Sequence, residues 1–204
     1  MLIKTLPVGQ LETNCYIVTN EDELRCVVID PGDESNTILD YIESNNLKCE
    51  AVFATHGHFD HIGAFVTVVE QTGAKAYMNE RDTEINRAIL RRGVELPENL
   101  INYDDGDVIE AAGMSFCVLS CPGHTPGGVS LLVEDALFTG DTLFRGSCGR
   151  VDLPGGDMEQ ELMSLKKLCM LSGDYEVYPG HMDSSTLERE RSFNYYCREA
   201  MKNF

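Results

Sequence analysis

The sequence predicts an α/β (α+β) fold, a four-layer αββα sandwich, built as one domain over residues 1–204. Two blocks of β-rich runs, each followed by segments of helical spacing, point to two sheets with helices on their outer faces. Four apolar strands that each end in a turn and then a His or Asp point to a rim shared by both sheets.

Apolar runs near 2–8, 14–19 and 24–29 open the chain as strands, and Asp30-Pro31-Gly32 ends the third with a turn signal. Ile38, Leu39 and Ile42 give 35–45 a helical spacing, and 50–54 reads as a short buried strand. Helices are predicted over 63–72 and about 80–91, with a strand at 74–79 between them. From 106 to 144 the runs DVIEAAG, MSFCVLS, GVSLLVE and DALFTG, separated by Gly and Pro, predict the second sheet. Helical patterns at 157–171 and 184–202 flank a last strand, YEVYPG.

At 204 residues the chain can bury one sizeable core. Sixteen basic against 34 acidic residues give a net charge of −18, which repels phosphate backbones and anionic lipid and excludes nucleic acid as a favoured partner. The opening MLIKTLPVGQ is too short in its apolar run for a signal peptide, and no run reaches membrane-spanning length, so a cytoplasmic protein is expected. The eight cysteines contain no CxxC pair and are expected to be reduced and mostly buried. Nothing in the pattern specifies an oligomeric state.

Three of the five histidines fall within Thr55-His56-Gly57-His58-Phe59-Asp60-His61. An extended or turning backbone puts His56 and His58 on one side, whereas a helix would turn them apart. AVFAT-His56, CVLSCPG-His124, ALFTG-Asp141 and EVYPG-His181 repeat one context, strand then small-residue turn then ligand-type side chain. His56, His58, Asp60, His61, His124, Asp141 and His181 are therefore the candidate metal ligands. Seven side chains exceed what one four-coordinate zinc takes. With one bridging aspartate they serve two divalent ions, with a solvent molecule between them as hydroxide nucleophile. Zinc is the first expectation; iron and manganese accept the same nitrogen and oxygen donors.

THGHFDHIG, CPGHTPGG, FTGDTLF and YPGH, in this order and spacing, resemble the metallo-β-lactamase fold superfamily. The resemblance is greatest to its glyoxalase II-like (hydroxyacylglutathione hydrolase-like) branch, in a short form without the C-terminal helical domain. It covers nearly the whole chain, from Asn14-Cys15-Tyr16 to His181. It implies His56, His58 and His124 on one metal, Asp60, His61 and His181 on the other, and Asp141 between them. The stretch 143–157 is similar to the branch's substrate loop, and implies substrate binding by Arg150, with Arg145 as a second candidate. An acidic bridge at Asp141 disfavours antibiotic hydrolysis, and His58 in place of Glu disfavours flavodiiron chemistry. Only 23 residues follow His181, counting 204 − 181, room for one helix, which leaves the thiol carrier of the substrate open.

The implied reaction is hydrolysis of a small-molecule thioester of the S-lactoylglutathione type, with Asp60 orienting the hydroxide as the catalytic carboxylate. Cys121 and Cys148 are not expected to act as nucleophiles, because every histidine is assigned to metal. The alternatives are a mononuclear iron enzyme resembling persulfide dioxygenase, using His56, His124 and Asp141, and a lactonase with a similar metal set.

Overall fold

The computed structural model describes residues 1–86 and 94–203. Its first sheet has the order β1 (Leu2–Val8), β2 (Thr13–Asn20), β3 (Arg25–Ile29), β4 (Lys48–Phe53), β5 (Lys75–Tyr77). The first three strands form an antiparallel meander. β3, β4 and β5 run parallel, which requires crossovers, supplied by α1 (Ser35–Ser44) and by α2 (Phe59–Ile62) with α3 (Phe65–Thr72).

The second sheet contains β6 (Val108–Ala111), β7 (Met114–Ser120), β8 (Val129–Val133), β9 (Ala136–Gly140), β12 (Glu176–Pro179) and β13 (Ser185–Thr186), in the order β13-β12-β9-β8-β7-β6. A separate hairpin pairs β10 (Leu143–Phe144) with β11 (Ser147–Cys148). α4 (Met158–Cys169), α5 (Leu187–Phe193) and α6 (Tyr195–Asn203) complete the chain.

The period-two alternation of each strand builds the layers. Cys15 and Ile17 of β2, Val28 of β3 and Val52 of β4 pack outward with Ile38, Phe65 and Val68 of the first helices. Their neighbours Tyr16, Val18, Val27, Ile29 and Phe53 face inward, against Phe116, Leu131 and Phe138 of the second sheet. Leu137 of β9 and Val177 of β12 turn the other way, toward Leu165, Leu168, Leu187 and Ala200 of the last helices. Helix, sheet, sheet, helix is therefore the predicted αββα sandwich. Among the described residues no helix is long and apolar enough to cross a membrane.

Two predicted helices differ in detail. The pattern at 184–202 opens with β13, since Ser185 and Thr186 pair with Val177 and Glu176, and then breaks at Asn194, whose backbone is extended (φ −72°, ψ 124°). The pattern at 80–91 begins as a 3-10 turn, Glu80–Asp82, and resumes as helix at Ile85 and Asn86; its remainder lies outside the described residues.

Candidate metal centre

β7, β9 and β12 point the same way, because β7 and β9 both run antiparallel to β8 while β12 is parallel to β9. Their carboxyl ends therefore release His124, Asp141 and His181 at one edge of the second sheet. β4 releases His56 at the facing edge of the first sheet, where Val129 N–H donates to Thr55 O (2.9 Å) across the sandwich. The predicted turning backbone over Thr55–His58 is present, and α2 then places Asp60 and His61 in one helical turn.

Buried carboxylates hold these turns. Asp30, in the left-handed region (φ 53°), accepts from Thr55 N–H (2.7 Å), Thr55 Oγ1 (2.7 Å) and His61 Nδ1 (2.9 Å). Asp82 accepts from Gly57 N–H (3.0 Å), Thr125 Oγ1 (2.6 Å) and Gly127 N–H (2.6 Å), joining the first histidine loop to the His124 loop. Glu161 accepts from His124 N–H (2.9 Å). Asn14 Nδ2 donates to Pro179 O (3.0 Å) and Met182 O (2.9 Å) on either side of His181.

Reasoning from sequence missed these four supports. Asp30 reads as a turn residue and Asn14 only as part of a motif. Asp82 and Glu161 sit in helical patterns, where an acidic residue carries no signal of burial.

The supports also set which ring nitrogen faces the site. Nδ1 of His61, His124 and His181 donates to Asp30, Arg150 O (2.7 Å) and Leu11 O (3.2 Å), so each presents Nε2. His56 Nδ1 donates to Thr55 Oγ1 (3.2 Å) and likewise presents Nε2. His58 is reversed: its Nδ1 lies 3.1 Å from His56 Nε2 and 2.8 Å from His124 Nε2.

All seven predicted ligands meet here, in three overlapping groups whose donor atoms lie within 4.8 Å of one another: His56, His58, His124; His56, His61, Asp141; and Asp60, His61, His181. The Asp141 carboxylate stands between the two imidazole sets. Its Oδ1 is 3.4 Å from His61 Nε2, and its Oδ2 is 3.5 Å from both His124 Nε2 and His181 Nε2. Asp60 Oδ2 lies 3.3 Å from His181 Nε2 and accepts from Thr13 Oγ1 (3.2 Å). Gly180 is required by this crowding, since a Cβ there would sit 2.2 Å from Asp141 Oδ1 and 2.6 Å from His61 Cε1.

The donor set fits divalent cations. His58 Nδ1 faces two Nε2 acceptors with at most one proton to share between them, and His58 Nε2, His61 Nε2 and Asp141 Oδ1 are buried without hydrogen-bond partners. A cation among them resolves both conflicts. Protons do so poorly: burial, then the neighbouring imidazoles, hold His56 well below its ordinary pKa and His58 at about 3. Burial also opposes charge on His61, but Asp141, Asp30 and Asp60 outweigh it and raise this ring to about 9. Burial pushes Asp60 up, yet His181 and His61 bring its carboxyl well below the usual range.

A cleft of about 610 Å³ opens onto the centre, walled by Leu11, Phe59, Phe144, Leu153 and Met182 and reached by Arg150. Arg150 is exposed and bound to Asp152 through Nε (2.6 Å) and Nη2 (2.8 Å). Arg145, the other predicted substrate residue, is not part of this lining; its guanidinium turns to Asp183 (3.2 Å), which holds the β10–β11 hairpin against the segment after His181. Cys148 lines the cleft and Cys121 is fully buried outside that lining, and burial raises the two thiols to about 12 and about 11, protonated at neutral pH.

Residues 8–181 match the model of the metallo-beta-lactamase superfamily. The chain belongs to this superfamily. Among curated relatives of this metallo-hydrolase, the hydroxyacylglutathione hydrolase GloC of Haemophilus influenzae is 31% identical, over 95% of the chain and 97% of the relative. The B3 metallo-beta-lactamase BLEG-1 superposes with a TM-score of 0.86 at 30% identity, covering 96% of this chain and 99% of that one. TTHA1623, solved in a di-iron-bound form, gives 0.82 at 34% identity, covering 95% and 99%. ETHE1 from Myxococcus xanthus gives 0.82 at 26% identity, covering 100% and 92%. The superfamily and its His/Asp cluster make the chain a metal-dependent enzyme of hydrolase type.

Proposed function

We propose that the protein is a cytoplasmic, binuclear hydrolase of small-molecule thioesters of the S-(2-hydroxyacyl)-thiol class, of which S-lactoylglutathione is the type. The observation that carries this reading is the Asp141 carboxylate, set 3.4–3.5 Å from imidazoles of both sets at the floor of an open cleft. The similarity to GloC supports the substrate class.

His56, His58 and His124 would hold one divalent ion, Asp60, His61 and His181 the other, and Asp141 both. Zinc is the first expectation, and the di-iron form of TTHA1623 supports iron as the alternative. Divalent ions so held supply a Lewis acid for the thioester carbonyl and acidify water toward neutrality.

The chain's own groups do the rest. The Asp60 carboxylate, steadied at Oδ2 by Thr13 Oγ1, orients the attacking water and fixes its approach. Arg150 is already bound to Asp152 through Nε and Nη2, and offers its remaining N–H groups to a carboxylate of the thiol portion. Phe59, Phe144 and Leu153 narrow the cleft and displace bulk water. The Cys148 thiol remains protonated and takes no covalent part.

The test is elemental analysis of protein purified without added metal, alongside a panel of thioesters, lactones, a β-lactam and glutathione persulfide. Two metals per chain with thioester turnover above the rest of the panel is the expected result; turnover confined to another member ends the reading. A second reading is a mononuclear iron oxidoreductase resembling persulfide dioxygenase, built on His56, His124 and Asp141; the similarity to ETHE1 is compatible with it and does not raise it above the first. It predicts one iron per chain and oxygen uptake with glutathione persulfide.

A further inference from the structure

The hairpin that forms one wall of the cleft is held from behind by two fully buried polar residues of the C-terminal helices, Glu190 and Asn194. They stand four positions apart, one at the last turn of α5 and one just past it, and so share a face. Asn194 Nδ2 donates to Ser147 O (2.8 Å) and Phe144 O (3.3 Å), one carbonyl on each strand of the hairpin. Glu190 Oε2 accepts from Gly146 N–H (2.7 Å) in the turn between those strands, and lies 3.0 Å from Asn194 Nδ2, whose two hydrogens are shared among the three acceptors. Gly146 has φ 76°, a left-handed conformation suited to glycine, so the turn itself is shaped to present its N–H.

These contacts act on the substrate side of the site. Phe144, Ser147 and Cys148 line the cleft, and the Phe144 ring stands 6.2 Å from the His181 imidazole. A well-packed apolar pair would hold two helices together at least as well as a buried carboxylate with its desolvation cost. Here Glu190 and Asn194 instead direct polar atoms at the hairpin backbone. The remaining acceptor, Glu190 Oε1, takes Ser185 Oγ and Arg189 Nη1, both at 2.5 Å, so the carboxylate is satisfied on both oxygens.

We infer that Glu190 and Asn194 are positioning residues for substrate binding, fixing the hairpin wall at its distance from the centre and thereby setting affinity for the thioester. The inference rests on the proposed thioesterase reading for its kinetic arm and on the fold alone for its exchange arm. The break between α5 and α6 follows from it: Asn194 leaves the helical path so that its amide can reach the hairpin, while its Oδ1 accepts from Tyr196 N–H (2.9 Å) to start the next helix.

The experiment compares Asn194→Ser, which keeps a short acceptor for the helix start, with Glu190→Ala and the conservative Glu190→Gln, all with metal content measured. Asn194→Ser and Glu190→Ala should raise KM about five- to tenfold with kcat changed less than about twofold and metal content unchanged, and Glu190→Gln should recover most of the loss. An unchanged KM in folded Asn194→Ser overturns the inference, as does a fall in kcat that tracks lost metal. Should the variants fail to fold, hydrogen exchange in the wild-type protein decides: a Gly146 amide protected as a buried bond supports the clamp, and one exchanging like an open turn refutes it. If the wild type turns over no thioester, the functional reading falls while the exchange result still stands for or against the clamp.

Discussion

Replacing Asp141 removes the carboxylate that faces both imidazole sets, and leaves His61, His124 and His181 to crowd one another with one charge fewer. Asp141→Ala is expected to lose at least one metal per chain and about 100-fold or more of the proposed thioester activity, since even an orienting partner of a ligand costs about 10–100-fold. Two metals and full turnover in that variant would remove Asp141 from its assigned place. The role proposed for Arg150 belongs to substrate binding. Its guanidinium is solvent-exposed and paired with Asp152, so Arg150→Ala should raise KM about tenfold, or ~1.4 kcal/mol, with kcat nearly unchanged. Steady-state kinetics on a carboxylate-bearing thioester read both numbers, and an unaltered KM would take Arg150 out of the substrate site.

At the scale of elements, strand ends set the ligand geometry and other elements pin them. The end of β12 is held by β2: Asn14 N–H donates to Gly180 O (2.8 Å), its side-chain amide bonds carbonyls on both sides of His181, and Tyr16 OH donates to Pro179 O (2.6 Å). Asn14→Ala leaves the partly buried Met182 O without its donor, at a cost of about 1 kcal/mol, while Pro179 O keeps Tyr16 OH. The effect should fall on His181, so the metal held with Asp60 and His61 should dissociate more readily while the His56, His58, His124 site keeps its occupancy. Metal titration against a chelator resolves the two sites, and equal weakening of both would show that Asn14 supports the fold in general.

For the whole molecule, the metal centre makes stability depend on pH. Without metal, His61 is raised from its ordinary 6.5 to about 9, and His181 is raised by its Asp60 and Asp141 neighbours against the opposing effect of burial. Burial raises Glu161 from 4.5 to about 9. Each of these groups holds its proton in the folded chain at pH values where the unfolded chain has released it. Their contribution is complete below the unfolded pKa and is lost as pH climbs through the folded one. In chelator-treated protein the Glu161 share should begin to fall from about pH 4.5 and the histidine share from about 6.5, so that all decline together up to about 9, visible as a falling denaturant midpoint over pH 6.5–9. Metal-loaded protein should lose less, because a cation takes the proton's place at His61. A midpoint that stays level in the chelated sample would contradict the raised groups.

Much of this architecture can be read directly from the chain. The alternation in β2, β4 and β9 specifies two-faced strands because side-chain direction reverses at every residue, a purely local rule. The seven candidate ligands were legible for a related reason: His and Asp recurring after strand-turn contexts are costly to place together without a shared task, and the strand ends that carry them share an edge. What local pattern could not contain was the set of long-range partners. Asp30, Asp82, Glu161, Glu190 and Asn194 look like ordinary turn or helix residues in sequence, and become supports only because folding buries them beside hydrogen-bond partners 25 to 50 positions away, as Thr55 is from Asp30 and Phe144 from Asn194. The division of labour between Arg150 and Arg145 was likewise decided by tertiary structure. Two arginines five positions apart are equivalent until a hairpin turns one to Asp183 and leaves the other at the cleft, because direction in a turn depends on what the backbone is bonded to rather than on spacing.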